Sequence, residues 1–431
     1  MAQRSDLIGE LTWRGLLYQQ TEGASAALDA GSVSGYAGFD PTAESLHVGS
    51  LVPIMGLVHL QRAGHTPVAL VGGGTALIGD PSGKPSERQL LDAEAVRANS
   101  AAIRSQLERF VDFSGANAAV MADNAEWLTG LDLLPFLRDT GKHFTVNYML
   151  AKESVKARIE TGISFTEFAY MLLQAHDYLE LNRRHGVTFQ LGGSDQWGNI
   201  TAGIELIRRA GGKAAYGLTL PLISSAAGTK FGKTEEGTVW LDAELTSPYQ
   251  FYQFWINTDD REVGSYLRMF TLLSRPEIEQ LEAELKAHPE KREAQRALAA
   301  EVTTRVHGAE SARIAEEVSS VLFGKGESTK LSLPALDALA REIPFTEVAL
   351  DPSSRIIELV VAAGLAQSKG AARRLLDQGG IYVNGIRAKL DMHLGSAPPL
   401  AGKYVLLRKG AKQYALVGAQ KDEIRHDKAR S

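Results

Sequence analysis

The chain is predicted to open with an α/β domain on an open parallel sheet, to continue as a helical segment, and to end in a small α+β module. Three observations predict this order. In the first 220 residues, short apolar runs lead into glycine-rich loops and then into helix-period sequence. From about Ser247 to Phe323 strand signals fade and helical ones persist. From Ser353 onward, two helical patterns precede three short strand patterns.

Val33 to Phe39 reads as the first strand, stopped by Asp40-Pro41. Leu51, Ile54, Met55 and Val58 then fall at i, i+3, i+4 and i+7, which predicts a helix. Pro53 must lie in its first turn, where a missing N–H costs nothing. Pro67 to Val71 is a second strand, leading to Gly72-Gly73-Gly74. In Ile163 to Leu181, Phe168, Leu172, Leu173, Ala175 and Leu179 mark a helix against a core. Tyr170, Gln174 and Asp177 share one stripe of it. Thr188 to Leu191 is a third strand, followed by Gly192-Gly193-Ser194-Asp195, and helical sequence resumes near Ile200.

Pro276 to Ala300 is rich in helix-forming Glu, Leu, Ala, Lys and Arg, and Gly324-Lys325-Gly326 reads as a break. The last module is expected as helices at Arg355–Ala363 and Lys369–Gln378, then a strand at Ile381–Val383 and an Asn384-Gly385 turn. A hairpin of Tyr404–Arg408 and Gln413–Val417 ends it. The expected divisions are 1–220 with an insertion around 125–160, 221–325, a linker at 326–352, 353–420, and a polar tail at 421–431.

At 431 residues the chain is long enough for two or three cores. It has no cysteine, which excludes disulfide scaffolds, thiolate nucleophiles and Cys-type metal sites. No apolar run reaches membrane-spanning length. Arg4, Asp6, Glu10 and Arg14 break up the N-terminal stretch, so a signal peptide is not expected and the cytoplasm is. The net charge of −5 hides an asymmetry: Asp351 to Ser431 holds 14 Lys/Arg against 7 Asp/Glu, while the first 350 residues hold 32 against 44. A basic end on an acidic body suggests an anionic partner such as nucleic acid; the plain alternative is a solvated tail.

Common motifs fail. Leu77 stands where a dinucleotide fingerprint wants its third glycine. Gly79 to Lys84 is one residue short of a phosphate loop, and Pro85 fills the slot of its Mg²⁺-binding hydroxyl. Other segments survive. Asp40 to Ser50 lies between strand and helix, where free N–H groups attract phosphate; Thr42 and His47 add donors, and Gly49 lets a flat base approach. Gly228 to Gly237 carries Lys230 and Lys233 in a cationic loop that could close on a polyphosphate. The Tyr170–Gln174–Asp177 stripe could read a polar ligand, or be the wet face of its helix. Gly192 to Gln196 follows a strand's C-terminal end, a favoured ligand position. Lys369, Arg373, Arg374, Arg387 and Lys389 fit contact with an RNA backbone, or a charged solvated face.

Together these segments resemble one family. Tyr36-Ala37-Gly38-Phe39-Asp40-Pro41-Thr42 leading to His47-Val48-Gly49-Ser50 is similar to the first signature of class I aminoacyl-tRNA synthetases, and Lys230-Phe231-Gly232-Lys233-Thr234 to the second. Phe165 to Tyr170 through Gln174 and Asp177, then Gly192 to Asn199, resemble the bacterial tyrosyl branch of that family. The likeness runs from about Leu7 to Val417. It implies a Rossmann-like catalytic domain, a helical tRNA-side domain and an appended RNA-binding domain. It also implies tyrosine–tRNA ligase activity, with L-tyrosine, Mg²⁺-borne ATP and tRNA as substrates, no protein-bound metal, and a homodimer formed through the segment Leu131 to Ile159.

By the same resemblance, Tyr36 and Asp177 would hold the phenol hydroxyl of tyrosine, and Tyr170, Gln174 and Asp80 its amino group. Asp40 belongs to the first signature; Thr42 and His47 would contact ATP phosphates, and Gly49 would lie under adenine. Gly193, Asp195 and Gln196 would sit near the ribose and the tyrosyl carboxylate. Lys84, Arg88, Lys230, Lys233 and Thr234 would neutralise the leaving pyrophosphate. Two departures stand out: Ser50 replaces the signature's closing histidine, and Phe231-Gly232 and Thr234 replace Met-Ser and Ser of the lysine loop. A tryptophanyl relative, a nucleotidyltransferase with a small acceptor, and a non-catalytic RNA-binding descendant are the rival readings. The first two are disfavoured by Asp177 and the basic module, the third by the retained His47, Lys230 and Lys233.

Overall fold

The computed structural model describes residues 6–80, 91–152, 155–156, 159, 162–223, 231–234, 237–323 and 326–419. These fall into two compact units, one of residues 1–247 with 254–306, the other of 248–253 with 307–431.

The first unit is built on a six-stranded sheet. Its strands are β1 (Gln19–Gln20), β2 (Ser34–Phe39), β3 (Thr66–Val71), β4 (Val120–Asp123), β5 (Val187–Gly193) and β6 (Tyr216–Leu220), in the spatial order β1-β6-β5-β2-β3-β4. All neighbours are parallel except the edge strand β1, which runs antiparallel to β6. β2, β3 and β5 coincide with the three runs read from sequence. β4 and β6 are shorter, and their burial comes from the helices laid over them. Parallel sheets need cover on both faces. The Leu51–Arg62 helix packs on β2 and β3, and Phe165–His185 and Trp197–Arg209 pack on each other and on β5. The resulting core holds Tyr36, Val68, Leu70, Tyr178, Leu181, Ala202 and Leu206.

The order of strands reverses between β5 and β2, whose helices therefore leave in opposite directions. The crevice at their C-terminal ends is the expected place for a ligand in such a sheet. The Phe165–His185 helix is held at both ends. Ser164 accepts from the Glu167 N–H at its start, and Gly186 takes the left-handed conformation at its end, with φ of 63°. Its register over the crevice is thereby set.

The second unit carries a five-stranded sheet: β9 (Phe345–Val348), β10 (Ile381–Val383), β11 (Ile386–Arg387), β12 (Tyr404–Lys409) and β13 (Gln413–Ala419), ordered β11-β10-β12-β13-β9. (β7 and β8 belong to the lysine loop, below.) Helices Ile356–Ala362 and Lys369–Asp377 cover one side of it. Asn384 and Gly385 both have positive φ, 49° and 84°, as the two-residue turn between β10 and β11 requires.

Residues 326–352, expected as a linker, are built into this unit. The Leu333–Glu342 helix buries Ala335, Leu336 and Leu339 against Leu406 and Leu416, and β9 pairs in parallel with β13. Val318 and Val321 of the preceding Ala309–Phe323 helix join the same cluster. The expected helical segment 221–325 is accordingly shared between the two units, divided near Val306.

Candidate active site

A cavity of about 180 Å³ opens in the crevice between β2 and β5. Eight of the candidate residues line it: Tyr36, Asp40, Asp80, Tyr170, Gln174, Asp177, Gly193 and Gln196. The stripe on the Phe165–His185 helix is therefore not a wet face. Tyr170 and Asp177 are buried, because the helix lays that stripe along the strand ends.

The floor of the cavity is the least solvated part. Asp177 is 2% exposed. Its carboxylate accepts from the Trp127 Nε1–H at 2.7 Å and from Asn124 Nδ2 at 2.9 Å. Burial pushes its pKa up to about 7, against the lowering effect of those two bonds. Tyr36 comes up from β2, edge-on to Tyr178, whose own hydroxyl donates to the Tyr216 carbonyl. The Tyr36 hydroxyl is buried and has no hydrogen-bond partner among the described residues. Burial, then the nearby Asp177, raises its pKa, so it stays a phenol. A carboxyl acceptor and an unused donor thus face one cavity. A ligand hydroxyl satisfies both.

The rim is an amide chain. Gln196 donates to Asp80 Oδ2 at 2.9 Å, Gln174 donates to Gln196 Oε1 at 3.2 Å, and Asn199 donates to both glutamine oxygens. Tyr170 donates to Asp40 Oδ2 at 3.3 Å, and Thr75 to Asp40 Oδ1 at 3.1 Å. Two carboxylates and an amide chain around one rim suit an ammonium group. Gly72 must lack a side chain, since a Cβ there would lie 2.6 Å from Thr75 Oγ1 and closer still to Asp40.

The sequence reading had not picked out Asn124, Trp127, Thr75, Gln190 or Asn199. Asn124, Trp127, Thr75 and Asn199 are polar side chains past strand ends, and β4, which presents Asn124, has no readable strand pattern. Gln190 lies within β5, and its buried Oε1 has no hydrogen-bond partner among the described residues.

Thr42, His47, Gly49, Ser50 and Asp195 are outside the cavity wall. Four of them lie on the loop joining β2 to the Leu51–Arg62 helix. His47 Nδ1 accepts from the Gly49 N–H at 3.0 Å, which assigns the ring proton to Nε2. Ser50 starts the helix without a side-chain cap bond, and its N–H donates to the His47 carbonyl. Asp195 is exposed beyond the end of β5.

The lysine loop is fastened from two sides. Phe231 is 6% exposed among Phe254, Trp255, Tyr266 and Phe270, stacked flat on Phe270 at 5.5 Å and 3°. Gly232, with φ of 79°, sits against Val48, and its carbonyl accepts from the Val239 N–H. Lys233 and Thr234 form β7 (Lys233–Thr234), antiparallel to β8 (Gly237–Thr238). Lys84, Arg88 and Lys230 lie outside the described residues.

In the second unit, Lys369, Arg373, Arg374, Arg387 and Lys389 are all exposed. Lys369 pairs with Glu358 at 2.7 Å, and Arg387 donates to the Gly379 and Gln378 carbonyls. Arg373, Arg374 and Lys389 form no ion pair among the described residues. Nor do the described residues contain a cluster of three or more His, Asp or Glu able to hold a metal.

Comparison with known proteins decides the assignment. Residues 29–324 match the family of class I tRNA synthetases (W and Y), and residues 335–417 match the SYY-like C-terminal domain of tyrosine–tRNA ligases. The chain is 54% identical over 418 residues to the tyrosine–tRNA ligase of Bacillus caldotenax, covering 96% of this chain and 99% of that one. This chain belongs to the tyrosine–tRNA ligases. It is an aminoacyl-tRNA synthetase with the Rossmann-like fold of that family. The tyrosine–tRNA ligase of Anaeromyxobacter dehalogenans strain 2CP-1 is 53% identical, again across 96% and 99% of the two chains. Among solved structures, a C-terminally truncated mitochondrial tyrosyl-tRNA synthetase from Coccidioides posadasii matches with a TM-score of 0.65 and 32% identity, over 73% of this chain and 92% of that one.

The buried Asp177 carries a consequence for stability. Its folded pKa, about 7, lies above the ordinary aspartate value of 3.8, so the folded state takes up the proton first. This group therefore favours folding most at low pH, and its contribution falls as pH rises from about 4 to about 7. Asp177→Asn removes that slope. The gap in urea midpoint between the unsubstituted protein and Asp177→Asn is expected to change between pH 5 and pH 8; a constant gap contradicts the assignment.

Proposed function

We propose that the cavity binds L-tyrosine with its phenol at Tyr36 and Asp177 and its ammonium among Asp80, Tyr170 and Gln174. The observation that carries this reading is the pairing of an unused phenol donor with a buried carboxylate acceptor at the cavity floor. A phenylalanine ring would leave both unmatched in a site closed to water, which costs more than the lost bond alone. An indole offers a donor only and would leave Tyr36 unsatisfied.

ATP enters beside the first signature with Mg²⁺ as part of the substrate. Thr42 and the Nε2–H of His47 are the donors for its phosphates, Gly49 leaves room for adenine, and Gly193, Asp195 and Gln196 face the ribose and the tyrosyl carboxylate. A carboxylate oxygen of tyrosine attacks the α-phosphorus in line. The bond to the β-phosphate oxygen breaks, and tyrosyl-adenylate and pyrophosphate form. No proton moves in this step. Catalysis is positioning plus neutralisation of the leaving charge, the role of Lys84, Arg88, Lys230, Lys233 and Thr234. A hydroxyl of the terminal ribose of tRNA then attacks the tyrosyl carbonyl, the bond to the phosphate oxygen breaks, and tyrosyl-tRNA and AMP form with loss of the hydroxyl proton.

Two surfaces complete the reading. Between residues 133 and 165, Leu133, Leu134, Val146 and Phe165 are each more than 60% exposed, an apolar run that supports the subunit-interface reading of this segment. A second copy of the chain covers it, giving a homodimer. In the second unit, Arg373, Arg374 and Lys389, with Lys369 and Arg387, face the tRNA backbone. No helix of the described residues is long and apolar enough to cross a membrane, and the assigned setting is the cytoplasm.

Tyrosine-dependent exchange of ATP with pyrophosphate tests the core of this reading. Exchange is expected with tyrosine and not with phenylalanine or tryptophan, and exchange without discrimination would refute the cavity assignment. The KM for tyrosine should also rise below about pH 7, by up to about tenfold per pH unit, as Asp177 takes up a proton and ceases to be a free acceptor. A KM flat from pH 6 to 8 would remove Asp177 from recognition. The joint substitution Arg373→Glu and Arg374→Glu is expected to weaken tRNA charging at least tenfold while exchange stays within twofold; unchanged charging places the tRNA elsewhere. Leu134→Asp is expected to sediment as a monomer, and a dimer of unchanged stability would clear the apolar run of that role.

A further inference from the structure

We propose that Gln106, a buried glutamine on the Ala93–Leu107 helix, is a positioning residue that joins the two signature segments into one catalytic unit. The proposal rests on the ATP-side assignment above and deepens it.

Gln106 lies outside the cavity wall, and 5% of it is exposed. Its two amide atoms do different work. Oε1 accepts the Leu46 N–H at 2.9 Å, and Nε2 donates to Ser45 Oγ at 3.1 Å. Ser45 and Leu46 immediately precede His47. From these two residues the bonds continue into the chain that leaves the lysine loop. Ser45 Oγ accepts the Asp242 N–H at 3.1 Å while donating to the Leu46 carbonyl at 2.7 Å. That carbonyl also accepts the Leu241 N–H at 2.8 Å. His47 bridges to Trp240, the Val48 N–H donates to the Val239 carbonyl, and the Val239 N–H donates to the Gly232 carbonyl. Gly232 is the residue next to Lys233. A run of short hydrogen bonds therefore leads from Gln106 to both signatures.

The same helix holds the other end of the first signature. Asn99, seven residues earlier and on the same stripe, donates to the Pro41 carbonyl at 3.1 Å. The loop carrying Thr42 and His47 is clamped at both ends by one helix outside the sheet.

The primary amide of Gln106 accepts from the backbone N–H with its oxygen and donates to the hydroxyl with its nitrogen. A carboxylate keeps the first bond and loses the second. An apolar residue loses both and leaves the Leu46 N–H buried without a partner. The plain alternative is a core amide that contributes to stability alone. The two differ in what they predict for the rate.

The test uses the full-length protein, four single variants and the double variant of Gln106→Met with Lys233→Ala. Gln106→Met keeps the length of the side chain and removes both bonds. Gln106→Glu keeps the acceptor. Asn182→Ala is the control, a buried amide of the same unit that bonds the Val187 carbonyl and the Lys213 N–H at the opposite ends of β5 and β6. Lys233→Ala probes the loop. Exchange kinetics, equilibrium tyrosine binding and thermal midpoints are measured for each.

For Gln106→Met, kcat/KM for ATP is expected to fall roughly ten- to a hundredfold, with tyrosine affinity within twofold. Gln106→Glu should fall in between. Asn182→Ala should lower the thermal midpoint by a similar amount with exchange within twofold. Lys233→Ala should cost less in the Gln106→Met background than alone, because the loop is no longer held where its lysine acts. A normal rate in Gln106→Met beside a lowered midpoint overturns the proposal, as does strict additivity with Lys233→Ala. If Gln106→Met does not fold, a normal rate in Gln106→Glu overturns it instead. Absence of exchange in the unsubstituted protein overturns the functional reading and this proposal together, whereas exchange insensitive to Gln106 overturns this proposal alone.

Discussion

A carboxylate buried at the bottom of a crevice constrains most of the first unit. Taking Asp177 out of water is costly, and among the described residues no cation is bonded to it. The cost is offset by two neutral donors, Asn124 and Trp127, and both arrive from the end of β4. β4 must therefore lie at the edge of the sheet beside β3. The Phe165–His185 helix must hold its register to within one turn, because a slip would swing Asp177 away from both donors. Its caps at Ser164 and Gly186 resist that slip. The parallel sheet, the two capped ends and the Asn124–Trp127 pair are parts of one solution to a single desolvation problem.

That solution also separates the two halves of the chemistry. In the proposed reading, the floor recognises by hydrogen bonds whose worth depends on exclusion of water. The rim would recognise by charge, with Asp40 and Asp80 each accepting from hydroxyl or amide donors. ATP would be met elsewhere, by a loop that lies outside the cavity and takes its shape from hydrogen bonds to the Val239–Asp242 segment. Changes at Ser50 can then alter the ATP side without touching the phenol contacts, since Ser50 makes its bond through its backbone N–H to His47. A serine suffices there to start the helix.

Much of this was legible in the chain, for a physical reason. β2, β3 and β5 are central strands, buried on both faces, so they appear as plain apolar runs. β4 and β6 are only four and five residues long. Their cover is supplied by distant helices, and local sequence carries little of it. The stripe of Tyr170, Gln174 and Asp177 was visible as a stripe, but periodicity gives a polar face the same look whether water or a strand end lies opposite. The stretch 326–352 read as a linker because Leu336 and Leu339 bury themselves against β12 and β13, some 70 residues further on. Asn124 and Trp127 carried no signal of their own. Their importance exists only once Asp177 needs donors.

Phe231 is the residue where sequence pattern and structure diverge most instructively. In the sequence it is an oddity, a large apolar ring between two lysines of a cationic loop. In the structure it fills an aromatic cluster supplied by residues 254 to 270. Aromatic pairs of this kind add about 0.5–1.5 kcal/mol each beyond the area they bury. Lys233 is two residues from that ring, so its backbone cannot move far while the ring stays seated. Gly232 closes the other side against Val48, beside His47. A lysine loop built of glycine, threonine and lysine alone would gain nothing from any one position. By placing an apolar ring inside it, the chain lets hydrophobic burial, which does not depend on the charge of the substrate, fix the backbone at Phe231-Gly232.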